Sequence, residues 1–314
     1  MQSSPNGGVV VFAPSPQLTV TVEELDGEPD VHLHPGGQGV WQARMVASLG
    51  VPAVLCVALG GETGHVLRHL LGSEGVEVLV RDVLGRNGAY VHDRRDGDRS
   101  SMVEMPPDAL SRHELDDLYE LTLLRGLQAG TVILSGPSHD RVVPASVYER
   151  LTADLTANGC RVVVDLSGER LSAACSGGPT VIKVGHTELL DDGIAKGDTV
   201  SELIEAANTL AETGAELVVV SRADKPALVR TTEGVFTVEP PSLSTVDSRG
   251  AGDSMTAAIA AALSLGAEWA DAVRLGAAAG AVNVTRHGLG TGGEEAVRTL
   301  AKLVELKPVE NERD

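Results

Sequence analysis

Aromatic side chains are almost missing from this chain of 314 residues, which has two Phe, three Tyr and two Trp. Its core must be built from Val, Leu, Ala and Ile, and a surface that grips single-stranded nucleic acid by stacking bases has little to stack with. Basic residues are also few, 25 Lys and Arg against 44 Asp and Glu, for a formal net charge of −19. That balance repels phosphate backbones and anionic bilayers, so neither nucleic acid nor a membrane surface is an expected partner. Any site for an anionic ligand then needs its own local positive potential. Cys56, Cys160 and Cys175 have no metal-ligand spacing and leave one thiol over in any disulfide scheme, which points to a reducing cytoplasm. The opening MQSSPNGGVVVFAPSP has no basic region before its short apolar run and does not read as a secretory signal. Long apolar runs are absent too: the alanine-rich stretch AAIAAALSLGAEWADAVRLGAAAGAV is interrupted by Glu268, Asp271 and Arg274, so no membrane span is expected.

What remains is 42% hydrophobic and 22% charged, enough for one large α/β domain or such a domain with a small appendage. Short β-branched runs recur at Val9–Phe12, Ala53–Ala58, Thr131–Ser135, Arg161–Asp165, Val181–Val184, Leu217–Ser221 and Ala227–Thr231. Several are continuously apolar, as strands covered on both faces must be. Helical patterns lie among them at Gly39–Leu49, Gly64–Ser73, Pro144–Asn158, Thr199–Thr213, Asp253–Leu265, Trp269–Thr285 and Gly293–Leu306. This alternation predicts an α/β fold, a Rossmann-like, mostly parallel sheet with helices on both faces and a ligand crevice at the carboxyl ends of the strands.

Two segments break the alternation. Residues 18–33 contain LTVTVEEL and VHLH; residues 76–103 contain VEVLVRDVL and GAYVHDRRDGDRSSMVEM, with a hairpin-turn signal at Asp96-Gly97-Asp98. Their period of two predicts strands with one face covered, forming a small antiparallel lid over the crevice. The expected core is then 1–17, 34–75 and 104–310, with 311–314 as a tail.

The stretch VDSRGAGDSMTAAIAAALSLG, Val246 to Gly266, holds the chemistry. Gly250 and Gly252 allow positive φ and close approach to a ligand. The helix that follows presents unpaired N–H groups and a positive dipole end, a cradle for a phosphoryl group. Asp253 at the helix mouth is placed to take a proton from an attacking hydroxyl, although a carboxylate there also suits a plain helix start. A phosphate cradle beside a general base fits phosphoryl transfer to an alcohol. There is no Gly-Lys-Ser/Thr loop and no complete dinucleotide fingerprint. GLGTGG, Gly288 to Gly293, lacks a lysine and reads as a turn.

This stretch resembles the C-terminal signature of the ribokinase-like (PfkB) carbohydrate kinases. HPGGQGVWQARMVASLG resembles their N-terminal Gly-Gly motif, and VALGGETGHVLRHLLGSEGVEV, ILSGP, VVVDLSG and VIKVGHTEL follow in order. The resemblance covers nearly the whole chain and is closest to the 1-phosphofructokinase and tagatose-6-phosphate kinase branch. It implies ATP with Mg²⁺, a sugar or sugar-phosphate substrate, and a β lid that pairs into a homodimer. It implies Asp253 as base and Gly250, Ala251 and Gly252 as the anion hole. For the nucleotide it implies Ser221, Arg249, Gly250, Gly252, Ala278 and Asn283, with Val246 and Ala281 as further neighbours. For the acceptor it implies Gln17, Gly36, Gly37, Gln38, Trp41, Arg86 and Asp253, and for Mg²⁺, through water, Glu188.

The departures concern specificity. Gln17 stands where the family has an aspartate, Gln38 replaces a lysine, and Trp41 replaces a sugar-binding asparagine. Gly185 replaces the asparagine of the Lys-Pro-Asn-x-x-Glu stretch, and Ala223 replaces a glycine. Arg249 either neutralises a phosphate or blocks the hole by pairing with Asp253. Arg94, Arg95 and Arg99 read as a solvated hairpin face. Two readings follow: an ATP-dependent kinase acting on an alcohol, or a weakly catalytic relative that binds a nucleotide or metabolite for regulation.

Overall fold

The computed structural model describes residues 7–97 and 99–309. The chain opens with β1 (Val9–Phe12), β2 (Gln17–Leu25) and β3 (Glu28–Gly36), then α1 (Gln38–Ser48), β4 (Ala53–Leu59) and α2 (Gly61–Leu71). Next come β5 (Glu77–Asp82), β6 (Ala89–Asp93), β7 (Ser100–Met105), α3 (Arg112–Ala129), β8 (Thr131–Ser135) and α4 (Ala145–Ala157). They are followed by β9 (Arg161–Asp165), α5 (Gly168–Ser176), β10 (Val181–Gly185), α6 (His186–Asp191), α7 (Val200–Ala211) and β11 (Leu217–Arg222). The chain continues through β12 (Lys225–Thr231), β13 (Gly234–Glu239), α8 (Ala251–Ser264), α9 (Trp269–Asn283), α10 (Glu294–Ala301) and β14 (Glu305–Pro308).

A ten-stranded sheet runs in the order β14-β13-β12-β11-β10-β9-β8-β1-β4-β5. From β11 to β5 every pairing is parallel; β12, β13 and β14 join antiparallel at one end. The strands bury both faces because helices cover both. Val9, Val11, Ile133 and Val163 pack with α1, α8 and α9, whereas Val10, Phe12, Val132 and Val164 pack with α3, α4 and α7. The chain moves outward from β1 through β4 to β5, then returns to β8 on the other side of β1. That reversal opens a crevice at the carboxyl ends of the strands.

A four-stranded sheet, β3-β2-β6-β7, stands apart as the lid. Its outer pairs are antiparallel, but β2 and β6 in the middle run parallel, so it is less uniform than the alternation suggests. The expected lid segment 76–103 divides: Glu77–Asp82 pairs parallel to β4 as an edge of the large sheet, and only β6 and β7 belong to the lid. An edge strand is half covered, which gives it the same alternation as a lid strand. The helix expected to reach Leu306 stops at Ala301, and Glu305–Pro308 pairs with β13. Asp98 of the hairpin signal and the expected 311–314 tail lie outside the described residues. Among the described residues no helix is long and apolar enough to cross a membrane.

Candidate active site

The crevice is built on a polar row across three neighbouring strands. Ser135 ends β8, Asp165 ends β9 and Lys183 lies near the end of β10; in register, Ser135 faces Asp165 and Asp165 faces Lys183. Period-two alternation points all three to the face covered by α1 and α8. Asp165 is 1% exposed and accepts three hydrogen bonds: from Lys183 Nζ at 3.1 Å, Gln42 Nε2 at 3.0 Å and Thr256 Oγ1 at 2.7 Å. The Ser135 hydroxyl donates to Gln42 Oε1, which fixes the amide's orientation. Burial works to lower the Lys183 pKa, but the carboxylates of Asp165, Asp253 and Glu188 outweigh it and raise the value, so the ammonium stays charged.

The Gly250–Asp253 turn lies above that ammonium. Gly250, at φ 71°, caps α8 in the left-handed region. A Cβ at Gly252 would come within 2.5 Å of Lys183 Nζ, so a side chain there would push the ammonium out of its place beneath the helix start. The first turn of α8 thus combines its free N–H groups, its dipole and a fixed cation below. Asp253, in the same turn, is pushed up to about 7, first by burial and then by the Asp165 charge, against the opposing pull of Lys183 and a hydrogen bond from Gln38. Gln38 Oε1 accepts the Gly136 N–H at 2.9 Å. Its amide therefore serves Asp253, where the family resemblance placed it on the acceptor.

Asn283, expected beside a nucleotide, is fully buried and committed on both sides of its amide. Its nitrogen donates to Arg249 O at 2.6 Å and its oxygen accepts from Gly290 N at 2.9 Å, clamping the loop before α8 to the loop after α9. Ala278, also expected there, is fully buried in the apolar core and presents no surface to a ligand. Ser221 sits beside Gly185 in register, its hydroxyl donating to Val184 O at 3.4 Å. Glu188 caps α6 by accepting the Gly185 N–H at 2.6 Å, and among the described residues no cluster of three metal-ligating side chains forms. A single carboxylate near the crevice suits Mg²⁺ that arrives on nucleotide phosphates and keeps its waters. Ala223 follows β11 with φ 52°. A glycine there removes the left-handed strain of an exposed alanine. Ala223→Gly is expected to stabilise the fold by about 0.5–1 kcal/mol, read from denaturant midpoints.

Between lid and core lies a cavity of about 410 Å³. Gln17, Gly36 and Trp41 line it, as expected of acceptor-facing residues, and so does Arg249. Arg249 forms no ion pair with Asp253 among the described residues. Asp253 is not among the residues that line the cavity. Arg86 does not reach the cavity: it sits against Gly61 and Asp108 at the root of the lid. Arg94 and Arg99, read from sequence as a solvated face, turn inward and approach Asp247 Oδ2 at 3.7 and 3.8 Å. Arg44 lines the wall too, held by Glu74 and Leu289 O.

Comparison with known proteins bears on this arrangement. The family profile described as pfkB family carbohydrate kinase matches residues 13–296. The 1-phosphofructokinase of Bacillus subtilis is 30% identical over 273 residues, 87% of this chain and 88% of the relative. The ATP-dependent 6-phosphofructokinase isozyme 2 of Escherichia coli is 33% identical over 264 residues, 81% of this chain and 82% of the relative. Among solved structures, phosphofructokinase-2 of Escherichia coli in complex with potassium superposes with a TM-score of 0.84 at 28% identity, covering 94% of this chain and 98% of that one.

Proposed function

The chain belongs to the pfkB family of carbohydrate kinases, and from that premise we propose that it transfers the terminal phosphoryl group of ATP to a hydroxyl of a small sugar or sugar phosphate, with Asp253 as the general base. The observation that carries this reading is the α8 mouth, where the glycine-built first turn of the helix lies against a buried ammonium and next to a carboxyl whose pKa is raised to about 7. The acceptor enters under the lid past Gln17, Gly36 and Trp41. Its hydroxyl oxygen attacks the γ-phosphorus in line, the bond to the ADP oxygen breaks, and the hydroxyl proton passes to the Asp253 carboxylate. The N–H groups of Ala251 and Gly252, backed by Lys183, hold the charge on the transferring group. When bound, Mg²⁺ screens the nucleotide phosphates, and Glu188 is the residue we assign to its water shell. Ser221 is the residue we assign to the nucleotide's path, and the lid keeps water from competing with the acceptor.

A homodimer through the lid belongs to the same proposal. Leu25, Val31, Leu33, Met102 and Val103 are exposed on the lid strands, more apolar surface than a small free sheet usually leaves in water. Phosphofructokinase-2 of Escherichia coli has a tetrameric inhibited form.

The test is ADP release from Mg-ATP across a panel of sugars, sugar phosphates and nucleosides. Release that depends on an acceptor is the expected result. ATP binding with no turnover on any acceptor sinks the kinase reading and favours a regulatory, nucleotide-binding role.

A further inference from the structure

Most of the chain's few aromatic rings are spent on packing. Phe12 meets Tyr148 edge-on at 5.6 Å, Phe236 lies 5.0 Å from Trp269, and the Arg150 guanidinium sits over Tyr119. Tyr90 stacks on His92 at 5.1 Å. Trp41 alone has no ring or cation partner among the described residues, and its side chain stands on the cavity wall with Tyr90, His34 and His287. A partly buried indole without a ring partner, on a concave wall, can offer a stacking face to a ligand.

The same cavity holds cations with unspent bonding capacity. Arg94 and Arg99 share one carboxylate, Asp247, at 3.7 and 3.8 Å, well outside the ~2.7–2.9 Å of a committed charge-assisted hydrogen bond, and Arg94 has besides only a long contact of 3.5 Å with His287 Nδ1 among the described residues. Arg99 Nε is buried without a partner, and Arg249 forms no ion pair among the described residues. Glu23 and Glu104 also line the cavity, but neither pairs with these arginines. In a chain of net charge −19, this wall brings together Arg94 and Arg99 beside Asp247, with Arg44 and Arg249 also lining it, more cations than the carboxylates Glu23 and Glu104 that share the lining, and so supplies local positive potential for an anionic ligand.

We propose that the lid cavity takes an acceptor with two features: a planar ring that stacks on Trp41, and an anionic group held by Arg94, Arg99 and Arg249. This rests on the kinase reading for the fate of the acceptor's hydroxyl, and on cavity chemistry alone for its binding. A cavity of about 410 Å³ falls in the ~300–1,000 Å³ range that accommodates ring-bearing small molecules. Trp269 is the only other tryptophan, so a Trp269→Phe protein reports Trp41 by its own fluorescence.

The experiment titrates that protein, without ATP, with uridine 5′-monophosphate, uridine and ribose 5-phosphate. The expected result is saturable quenching of Trp41, with uridine monophosphate binding at least tenfold tighter than either fragment. By calorimetry, Trp41→Ala brings uridine monophosphate down to the affinity of ribose 5-phosphate, Trp41→Phe keeps most of the difference, and Arg99→Ala brings it down to that of uridine. Equal affinities for uridine monophosphate and ribose 5-phosphate in the parent protein overturn the ring, and no quenching by any of the three overturns the site. Because no ATP is present, neither result depends on phosphoryl transfer, whose own failure appears only in the ADP-release assay.

Discussion

Replacing Asp253 by asparagine is expected to cut kcat by about 10²–10⁴-fold while leaving the Kd for Mg-ATP within about twofold. The amide keeps the shape of the helix mouth and loses only the ability to take a proton. In the unsubstituted protein, activity should follow that proton. Burial and the Asp165 charge raise the Asp253 pKa to about 7, so kcat/KM should climb as pH rises through 7 and level off above it. The stability effect has the opposite sign. A carboxyl whose folded pKa lies above its unfolded value of 3.8 binds its proton more tightly in the native state, so stability falls as pH rises from 3.8 to about 7. Above that window the native protein carries an ill-placed charge that asparagine does not. Asp253→Asn should therefore melt about 2 °C or more higher than the parent at pH 8, with the gap closing toward pH 4. Full activity in Asp253→Asn, or an acid limb unchanged from that of an unperturbed carboxylate, removes Asp253 from the role of base.

Much of the scaffold was legible in the sequence, for a physical reason. Val9–Phe12, Thr131–Ser135 and Arg161–Asp165 have the bounds expected, because strands covered on both faces must be continuously apolar and stop where polar residues begin. The glycines before Asp253 were legible because the turn itself requires them: Gly250 adopts positive φ and Gly252 makes room for Lys183. The charged row beneath was not. Ser135 and Asp165 look like the polar ends of strands and Lys183 like a lone charge within one, and only the sheet register makes them neighbours. The signal available was a polar residue closing each of two successive apolar runs, Ser135 and Asp165, and a lysine set inside the third, between Ile182 and Val184. The lid arginines failed for a related reason. Which way Arg86, Arg94 and Arg99 point depends on the parallel β2–β6 pairing and on the irregularity between Val91 and His92, neither of which leaves a mark in composition.

That hidden row gives the other large effect. Lys183 is 7% exposed and, among the described residues, is the one cation bonded to Asp165, itself 1% exposed. Lys183→Met removes the ammonium and leaves Asp165 with only the Gln42 and Thr256 donors. Stranding a buried charge in this way is expected to destabilise the fold by about 3–5 kcal/mol at neutral pH, read from urea midpoints. Lys183 is also the charge that holds the Asp253 pKa down, so in any fraction that folds, the acid limb of kcat/KM should move above pH 7. A merely structural lysine would lower stability without moving that limb. Adding Asp165→Asn removes the stranded carboxylate, so the double variant should be more stable than Lys183→Met alone, a non-additivity that marks the two as one unit. It also removes the charge that does most to raise Asp253, so the limb should return toward lower pH. Equal stability of Lys183→Met and the parent, or additive losses in the double variant, would mean that the pair carries no coupling and that the phosphate cradle stands without a cation beneath it.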